Sequence, residues 1–117
     1  MIIVGCARGG DQSWLGELLA RFCPEARLAE RGERWDLFVD EQGHVHGRGQ
    51  VITCGLDRRC TLTASSLLQD GGLATLQRTM YTLWGQEIPP REVSLVGLPK
   101  HKSLTAAGVL LLLGHCI

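Results

Sequence analysis

The chain has little of what a nucleic-acid-binding surface needs. Aromatic residues make up 5% of its 117 residues, and twelve Lys and Arg residues balance twelve Asp and Glu residues. Such surfaces normally combine a basic excess with aromatic side chains on which bases stack. The composition therefore argues against nucleic acid, and the balanced charge argues equally against an anionic membrane surface.

Long apolar runs are also missing. The run Met1–Val4 is shorter than the core of a signal peptide and follows no basic residues. The C-terminal run Leu104–Ile117 is well below the ~20 residues that a membrane span needs. Both runs are therefore predicted to be core elements of a non-membrane protein.

The cysteines do not indicate a disulfide framework. Their number is odd, and no secretory leader is visible; they are Cys6, Cys23, Cys54, Cys60 and Cys116. Reduced thiols in the cytoplasm are the expected state, since disulfides persist mainly in oxidising compartments.

What the chain does contain is enough apolar material for one core. Apolar residues make up 44% of the sequence, and a chain of this length forms one compact domain. We therefore expect a single domain over residues 1–117.

The N-terminal half has the order of an α/β unit. Met1–Cys6 is a short apolar run typical of a buried strand, and Trp14–Phe22 carries an apolar stripe at helical spacing. Glu25–Arg34 is charged and predicts a surface connection. Trp35–Asp40 and His44–Gly49 are separated by a turn, a pattern that fits a hairpin.

The C-terminal half is richer in strand formers. Val51–Cys54 and Thr61–Leu68 predict strands, and Glu92–Val96 alternates apolar and polar residues. Leu73–Trp84 fits either a helix or a strand. From Ser103 to Leu113 small and aliphatic residues predict a buried helix, with Ser103 as N-cap and Gly114 as its end.

These elements predict an α/β fold with two layers of strands. A short, mainly parallel sheet would contain Ile2–Cys6, Leu37–Val39 and Val51–Cys54 and would pack on the two main helices. A three-stranded antiparallel layer of Thr61–Leu68, Leu73–Trp84 and Glu92–Val96 would cover the other side.

Three sequence segments in the C-terminal half match one family in order. Val51–Asp57 reads V-I-T-C-G-L-D, Thr61–Ser65 is followed by the turn Asp70–Leu73, and Gly97–Ala107 precedes an aliphatic helix. Together they resemble the second half of the central domain of Mur ligases, ATP-dependent ligases of peptidoglycan synthesis. The resemblance implies that Leu73–Trp84 is a strand in an antiparallel layer.

The residues that carry ligase chemistry do not match that family. No G-x-x-G-K-[ST] phosphate loop occurs in the sequence, and Pro99, Lys100 and Ser103 stand where the family keeps polar active-site residues. The resemblance therefore implies a truncated, non-catalytic binding or interaction module without a cofactor. Such a fragment would expose a sheet edge, which predicts a homodimer or a protein partner.

An alternative is a small-molecule site, or an enzyme, for a ligand that contains phosphate. Arg8, Gly9 and Gly10 follow a strand and precede a helix, whose N-terminus can bind an anion. Lys100 and Lys102 stand just before the C-terminal helix, where cations oppose the helix dipole unless an anion lies nearby.

A second alternative is a metal or thiol-redox protein. His44 and His46 with Cys54 and Cys60 form the candidate ligand set, because imidazole and thiolate both suit zinc. The spacing of the cysteines is unusual for such a site, and structural thiols with solvated histidines explain the same pattern. The adjacent His115 and Cys116 form a candidate thiolate–imidazole pair with no orienting acid.

Overall fold

The computed structural model describes residues 1–7, 12–66 and 71–115. It has two α-helices, α1 (Ser13–Phe22) and α2 (Ser103–Leu112). The strands, in chain order, are β1 (Ile2–Cys6), β2 (Ala26–Leu28), β3 (Leu37–Val39), β4 (Val45–Gly47), β5 (Gln50–Ile52), β6 (Cys54–Gly55), β7 (Leu62–Ser66), β8 (Leu73–Leu76), β9 (Met80–Tyr81), β10 (Glu87–Ile88) and β11 (Arg91–Ser94). The prediction of mixed helices and sheets is confirmed, with more strand than expected.

The larger sheet has five strands in the order β2-β1-β3-β4-β5. Strand β1 runs parallel to both β2 and β3, and β3, β4 and β5 form an antiparallel meander. The predicted hairpin of β3 and β4 is confirmed. The charged connection predicted between residues 25 and 34 instead contains the short edge strand β2. The sequence did not indicate this strand, because it has only three residues and one of them is the charged Arg27.

The prediction that Val51–Cys54 is a strand of a mainly parallel sheet is wrong. Gly47 pairs with Gln50 across a two-residue turn, in which Arg48 and Gly49 have φ of 50° and 73°. Two positive φ values are the type I′ geometry that fits the twist of a hairpin. This turn commits Val51 and Ile52 to antiparallel pairing with β4, so the sheet is mixed.

Thr53 carries the chain from the larger sheet into a second one. The Thr53 hydroxyl accepts the Thr61 backbone N–H at 2.7 Å, and the Thr53 carbonyl accepts that of Leu62 at 2.9 Å. The second sheet has the order β11-β8-β7-β6, in which β7, β8 and β11 are antiparallel and β6 is parallel to β7. The predicted antiparallel pairing is therefore confirmed for β7, β8 and β11, with one further strand. The prediction that this layer covers the other side of the larger sheet is wrong, because its strands β6 and β7 pack on α2 instead.

The ambiguous segment Leu73–Trp84 contains two short strands. The preference for strand over helix is confirmed in β8 and β9, but the prediction of one continuous strand is wrong. Strand β8 pairs with β7 and β11, whereas β9 pairs with β10 in a separate two-stranded sheet. The chain leaves the second sheet after Leu76. For this reason neither the period of a helix nor that of one strand describes the whole segment.

The two helices pack on the same face of the larger sheet. Helix α1 is amphipathic and buries Trp14, Leu15, Leu18 and Leu19. Helix α2 is buried from Thr105 to Leu112, and a Cβ on Gly108 would lie 3.1 Å from Cys54 Sγ and 3.3 Å from Val45 Cγ2. Glycine therefore allows α2 to approach both sheets closely, which explains its uniformly apolar sequence.

The ends of α2 agree only partly with the sequence. Ser103 is the first helical residue rather than a side-chain cap, and a short 3-10 turn, Lys100–Lys102, precedes it. Gly114 ends the helix as predicted: it has φ of 82°, and the His115 N–H donates to the Leu110 carbonyl at 2.9 Å. Among the described residues, no helix is long and apolar enough to cross a membrane.

Candidate functional site

The outer face of the larger sheet, opposite the helices, is the first candidate surface. Because side chains alternate along a strand, Val4, Leu37, Val39 and Val45 point to the core and their neighbours point outward. Gly5, Phe38, His46 and Val51 are direct neighbours across four strands, since Gly5 pairs with Phe38, Phe38 with His46 and His46 with Val51. We call these four residues the outer row.

The outer row is only partly shielded. Val51 is 47% exposed, and Trp35, just before β3, is 48% exposed. No described helix or strand packs against this face. Parallel sheets occur almost entirely in folds in which both faces are covered, so β2-β1-β3 has one face that such folds normally bury.

A hollow of about 460 Å³ lies beside Gly5 at the carboxyl ends of β1 and β2, where Cys6, Ala7 and Gln12 also line it. Its lining includes Gly5, Ala29, Arg31, Trp35 and Phe38. A Cβ on Gly5 would lie 2.8 Å from Phe38 Cδ1 and 3.3 Å from Trp35 Cβ. Glycine therefore lets the two aromatic side chains, whose ring centroids are 5.3 Å apart, lie close to the sheet.

An ion pair between Arg27 and Glu33 lies beside the hollow. Arg27 Nη1 donates to Glu33 Oε1 at 2.8 Å, and Arg27 Nη2 also contacts Glu33 Oε2. The hydrogen bond from Arg27, with a second from the Glu30 backbone N–H, lowers the pKa of Glu33 to about 2. The pair therefore stays ionised at neutral pH and contributes no net charge to this end of the surface.

The carboxyl end of β1 is the second candidate site, because two predicted anion-binding segments approach it. Arg8, Gly9 and Gly10 lie outside the described residues, but Cys6 and Ala7 directly precede them. Burial raises the pKa of the Cys6 thiol, and the positive charge of Lys102 partly counteracts this rise. Lys102 at the start of α2 is therefore near the end of β1, although 96 positions separate Lys102 from Cys6 in the sequence.

Asp40 organises the loop between β3 and β4. Its Oδ1 accepts the backbone N–H groups of Gln42 and His44, both at 2.9 Å, and its Oδ2 lies 2.8 Å from His46 Nε2. Burial raises the pKa of Asp40, but the His46 ring and these N–H groups outweigh it, so the pKa is lowered. Thr105 of α2 also donates to the Gly43 carbonyl at 2.8 Å, which fixes the loop to the core.

The predicted metal ligands have other partners. His44 Nδ1 accepts the Cys54 backbone N–H at 3.0 Å, whereas His46 binds Asp40. Burial, together with the negative charges of Cys60 and Asp40, raises the pKa of Cys54 to about 12, so its thiol stays protonated at neutral pH. Within the described ranges, no three His, Cys, Asp or Glu side chains lie close enough to hold a metal ion.

The C-terminal pair is described only in part. Cys116 lies outside the described residues. The His115 ring makes an edge-on contact with Phe22 at 6.5 Å between ring centroids. His115 is thus placed at the end of α2 against α1.

The sequence analysis identified the charged segments but missed the outer row. Alternation along β3 and β4 indicated which residues share a face of the sheet. It did not show that both helices pack on the same face and leave the other one uncovered by a helix. Asp40 was also missed, although an acid at the start of a turn followed by two histidines was a usable signal. No protein-family model, curated protein or solved structure matches this chain.

Proposed function

We propose that this chain is a non-catalytic, Mur-ligase-like interaction module that binds a protein partner through the outer row. The observation that carries the proposal is the half-covered parallel unit β2-β1-β3. Both helices cover one face, while Trp35 and Val51 are about half exposed on the other. Covering that face removes apolar area from water, at roughly 25 cal/mol per Å² before the costs of association.

The sequence resemblance supports the family part of the proposal. The described parts of the matching segments contribute to β5, β6 and β7, to the start of β8 and to the first half of α2. The residues that would perform ligation are absent from the matching positions, since Pro99, Lys100 and Ser103 occupy them. A module with the family's fold-forming residues but without its polar active-site residues is better suited to binding a partner than to catalysing ligation.

Site-specific photo-crosslinking in the native host tests this function. A benzophenone amino acid at position 51 is expected to give a discrete crosslinked protein species, because Val51 lies in the outer row. The matched control is position 96, where Val96 is 60% exposed in a turn away from this face. The proposal fails if position 51 gives no species or the same species as position 96.

A second candidate function is binding of a phosphate-containing ligand at the end of β1. The observation in its favour is the proximity of Lys102 to Cys6, directly before Arg8, Gly9 and Gly10. A cation near a helix N-terminus strengthens the anion-binding tendency that the helix dipole provides.

Thermal-shift measurements with pyrophosphate, nucleotides and UDP-linked sugars test this second function. Stabilisation is expected with at least one ligand and is expected to weaken in Lys102→Ala. Arg58→Ala is the control, because Arg58 is an exposed cation after β6 and does not belong to the proposed site. An unchanged melting temperature with every ligand at millimolar concentration would exclude it.

A further inference from the structure

We propose that the hollow at the carboxyl ends of β1 and β2 binds a ribonucleoside, with the base against Trp35 and a ribose hydroxyl on Glu30. This inference goes beyond the proposed interaction function, because the ligand is a small molecule and Val51 takes no part in its site. It follows from the path of the chain around the hollow, from the turn that forms its rim and from the charge of its lining.

The hollow lies where two neighbouring parallel strands send the chain to opposite faces of the larger sheet. After β1 the chain continues into α1, which packs on the inner face. After β2 it crosses the outer face instead, since a Cβ on the outward-pointing Gly5 would lie 3.3 Å from Trp35 Cβ. Such divergence opens a crevice beyond the strand ends, which is where open α/β sheets bind ligands. Both paths line the hollow, the first with Cys6, Ala7 and Gln12 and the second with residues 28–33.

The rim of the hollow on the β2 side is a hydrogen-bonded turn of residues 30–33. The Glu33 backbone N–H donates to the Glu30 carbonyl at 3.0 Å, and Gly32 has the positive φ, 78°, that a type II turn requires at its third residue. The Glu33 carboxylate accepts the Glu30 backbone N–H at 2.8 Å in addition to the hydrogen bonds from Arg27. Among the described residues, hydrogen bonds involve only the backbone of Glu30. Its exposed carboxylate is therefore the one that can accept a hydroxyl group of a ligand.

Trp35 and Phe38 give the hollow an aromatic wall. Trp35 is 48% exposed even though its ring lies against Phe38, so about half of its surface is open to a planar ligand. Every nucleobase has a flat face that stacks on such a side chain. In βαβ units that bind nucleotides, an acid after the second strand accepts a ribose hydroxyl, and Glu30 is the second residue after β2.

The size and charge of the hollow fit an uncharged nucleoside. Its volume of about 460 Å³ lies within the roughly 300–1,000 Å³ of small-molecule pockets. The carboxylates of Glu30 and Glu33 in its lining are balanced by the guanidinium groups of Arg31 and of the adjacent Arg27. The hollow therefore has no excess charge that would favour a phosphate over a neutral ring system.

NMR titration of the full chain with adenosine, guanosine, cytidine and uridine tests the site. The chain has three tryptophans, whose indole N–H signals can be assigned by substitution. The Trp35 signal is expected to shift at millimolar concentration of at least one nucleoside. The signal of Trp84 is expected to stay unchanged, because Trp84 lines a separate hollow with Met1 and Ile2 at the amino end of β1.

Calorimetric titration of variants measures what each contact contributes. Trp35→Leu is expected to weaken binding about 5-fold or more, as removal of a stacking partner does. Trp84→Leu is the matched control, because Trp84 is 56% exposed outside the site, and it should leave the affinity unchanged. Circular dichroism verifies that each variant is folded.

The contact with Glu30 is tested with paired ligands. Wild type is expected to bind the ribonucleoside about 5-fold more tightly than its 2′-deoxy form, because the deoxy form lacks a hydroxyl for the charged acceptor. Glu30→Gln is expected to remove most of this difference. Glu17→Gln, which changes an exposed acid of α1, is expected to preserve it.

Each contrary result overturns a stated part of the inference. An unshifted Trp35 signal with every nucleoside overturns the site. An equal shift with ribose or N-acetylglucosamine overturns stacking of a base and assigns the hollow to a sugar. Equal weakening by Trp35→Leu and Trp84→Leu overturns the location. Nucleosides carry no phosphate, so these outcomes are separate from the site proposed near Lys102, and crosslinking at position 51 tests the interaction module independently.

Discussion

The two faces of the five-stranded sheet differ in what covers them. The inner face carries Val4, Leu37, Val39 and Val45, none more than 3% exposed, under two helices. The outer face carries Phe38, His46 and Val51 under no described helix or strand. The same strands thus supply the core of the domain on one side and a surface of mixed polarity on the other.

Truncation of a side chain on the inner side should have the largest effect. Leu111 of α2 is 1% exposed, so Leu111→Ala is expected to lower the free energy of unfolding by about 2–5 kcal/mol through lost burial and a cavity. Urea denaturation at submicromolar protein concentration measures this. Val51→Ala, in the outer row, should cost less than about 0.5 kcal/mol in the same assay. Equal losses would show that the outer row is packed within the monomer.

The contact between α2 and the β3–β4 loop should rank next. Thr105→Val keeps the side-chain shape but removes the hydroxyl that donates to the buried Gly43 carbonyl. An unsatisfied buried carbonyl costs about 1–3 kcal/mol, so a loss of that size is expected in urea denaturation. Thr105→Ser keeps the hydroxyl donor and is expected to be more stable than Thr105→Val. If the two variants have the same free energy of unfolding, the methyl group of Thr105 stabilises the protein and the hydrogen bond does not.

Asp40 links the loop to the outer face and should make stability depend on pH. Its pKa is lowered in the folded protein from an ordinary value of 3.8, so its contribution is present above that value and is lost as pH falls through the folded pKa. Asp40→Asn is expected to cost about 1–2 kcal/mol at pH 6. The difference from wild type should shrink as the pH falls below 3.8 and should close only below the lower pKa of the folded state. A difference that stays constant down to pH 2.5 would contradict this.

A small effect is also expected on the outer side at Gly5. Gly5→Ala would place a Cβ 2.8 Å from Phe38 Cδ1, so the half-buried ring must move. The reduced freedom of the unfolded chain offsets part of that cost, which leaves a net loss of about 1 kcal/mol or less. Gly108→Val, on the inner side, is the comparison, because Cys54 and Val45 confine it and its loss should be larger. A larger loss of stability for Gly5→Ala than for Gly108→Val in urea denaturation would mean that the outer side is packed more tightly than the inner side.

Element types were predictable where a pattern was long and uniform. The apolar stripe of α1 and the aliphatic run of α2 predicted both helices almost to the residue. Alternation predicted β3 and β4, and the content of strand-forming residues predicted β7. Pairing was less predictable. Val51 and Ile52 have the composition of a central parallel strand, but the turn at Arg48 and Gly49 places them on an antiparallel edge.

The candidate sites were predictable only as separate segments. Lys100 and Lys102 stood out because cations are unfavourable before a helix, yet the effect of the Lys102 charge on the Cys6 thiol depends on the tertiary fold. The two histidines resembled a ligand pair because they are one residue apart. In the fold His44 binds a backbone N–H and His46 binds a carboxylate, so spacing alone was misleading.

The sequence by itself determined the helices, most of the strands and the absence of a phosphate-loop motif, because these depend on local patterns and on which residue types are present. Only the tertiary structure decided that both helices cover one face, that Thr53 passes the chain between two sheets and that the outer row lies open. Those features depend on contacts between segments that are far apart in the sequence, such as the contact of Thr105 with Gly43. A local sequence pattern carries no information about such contacts.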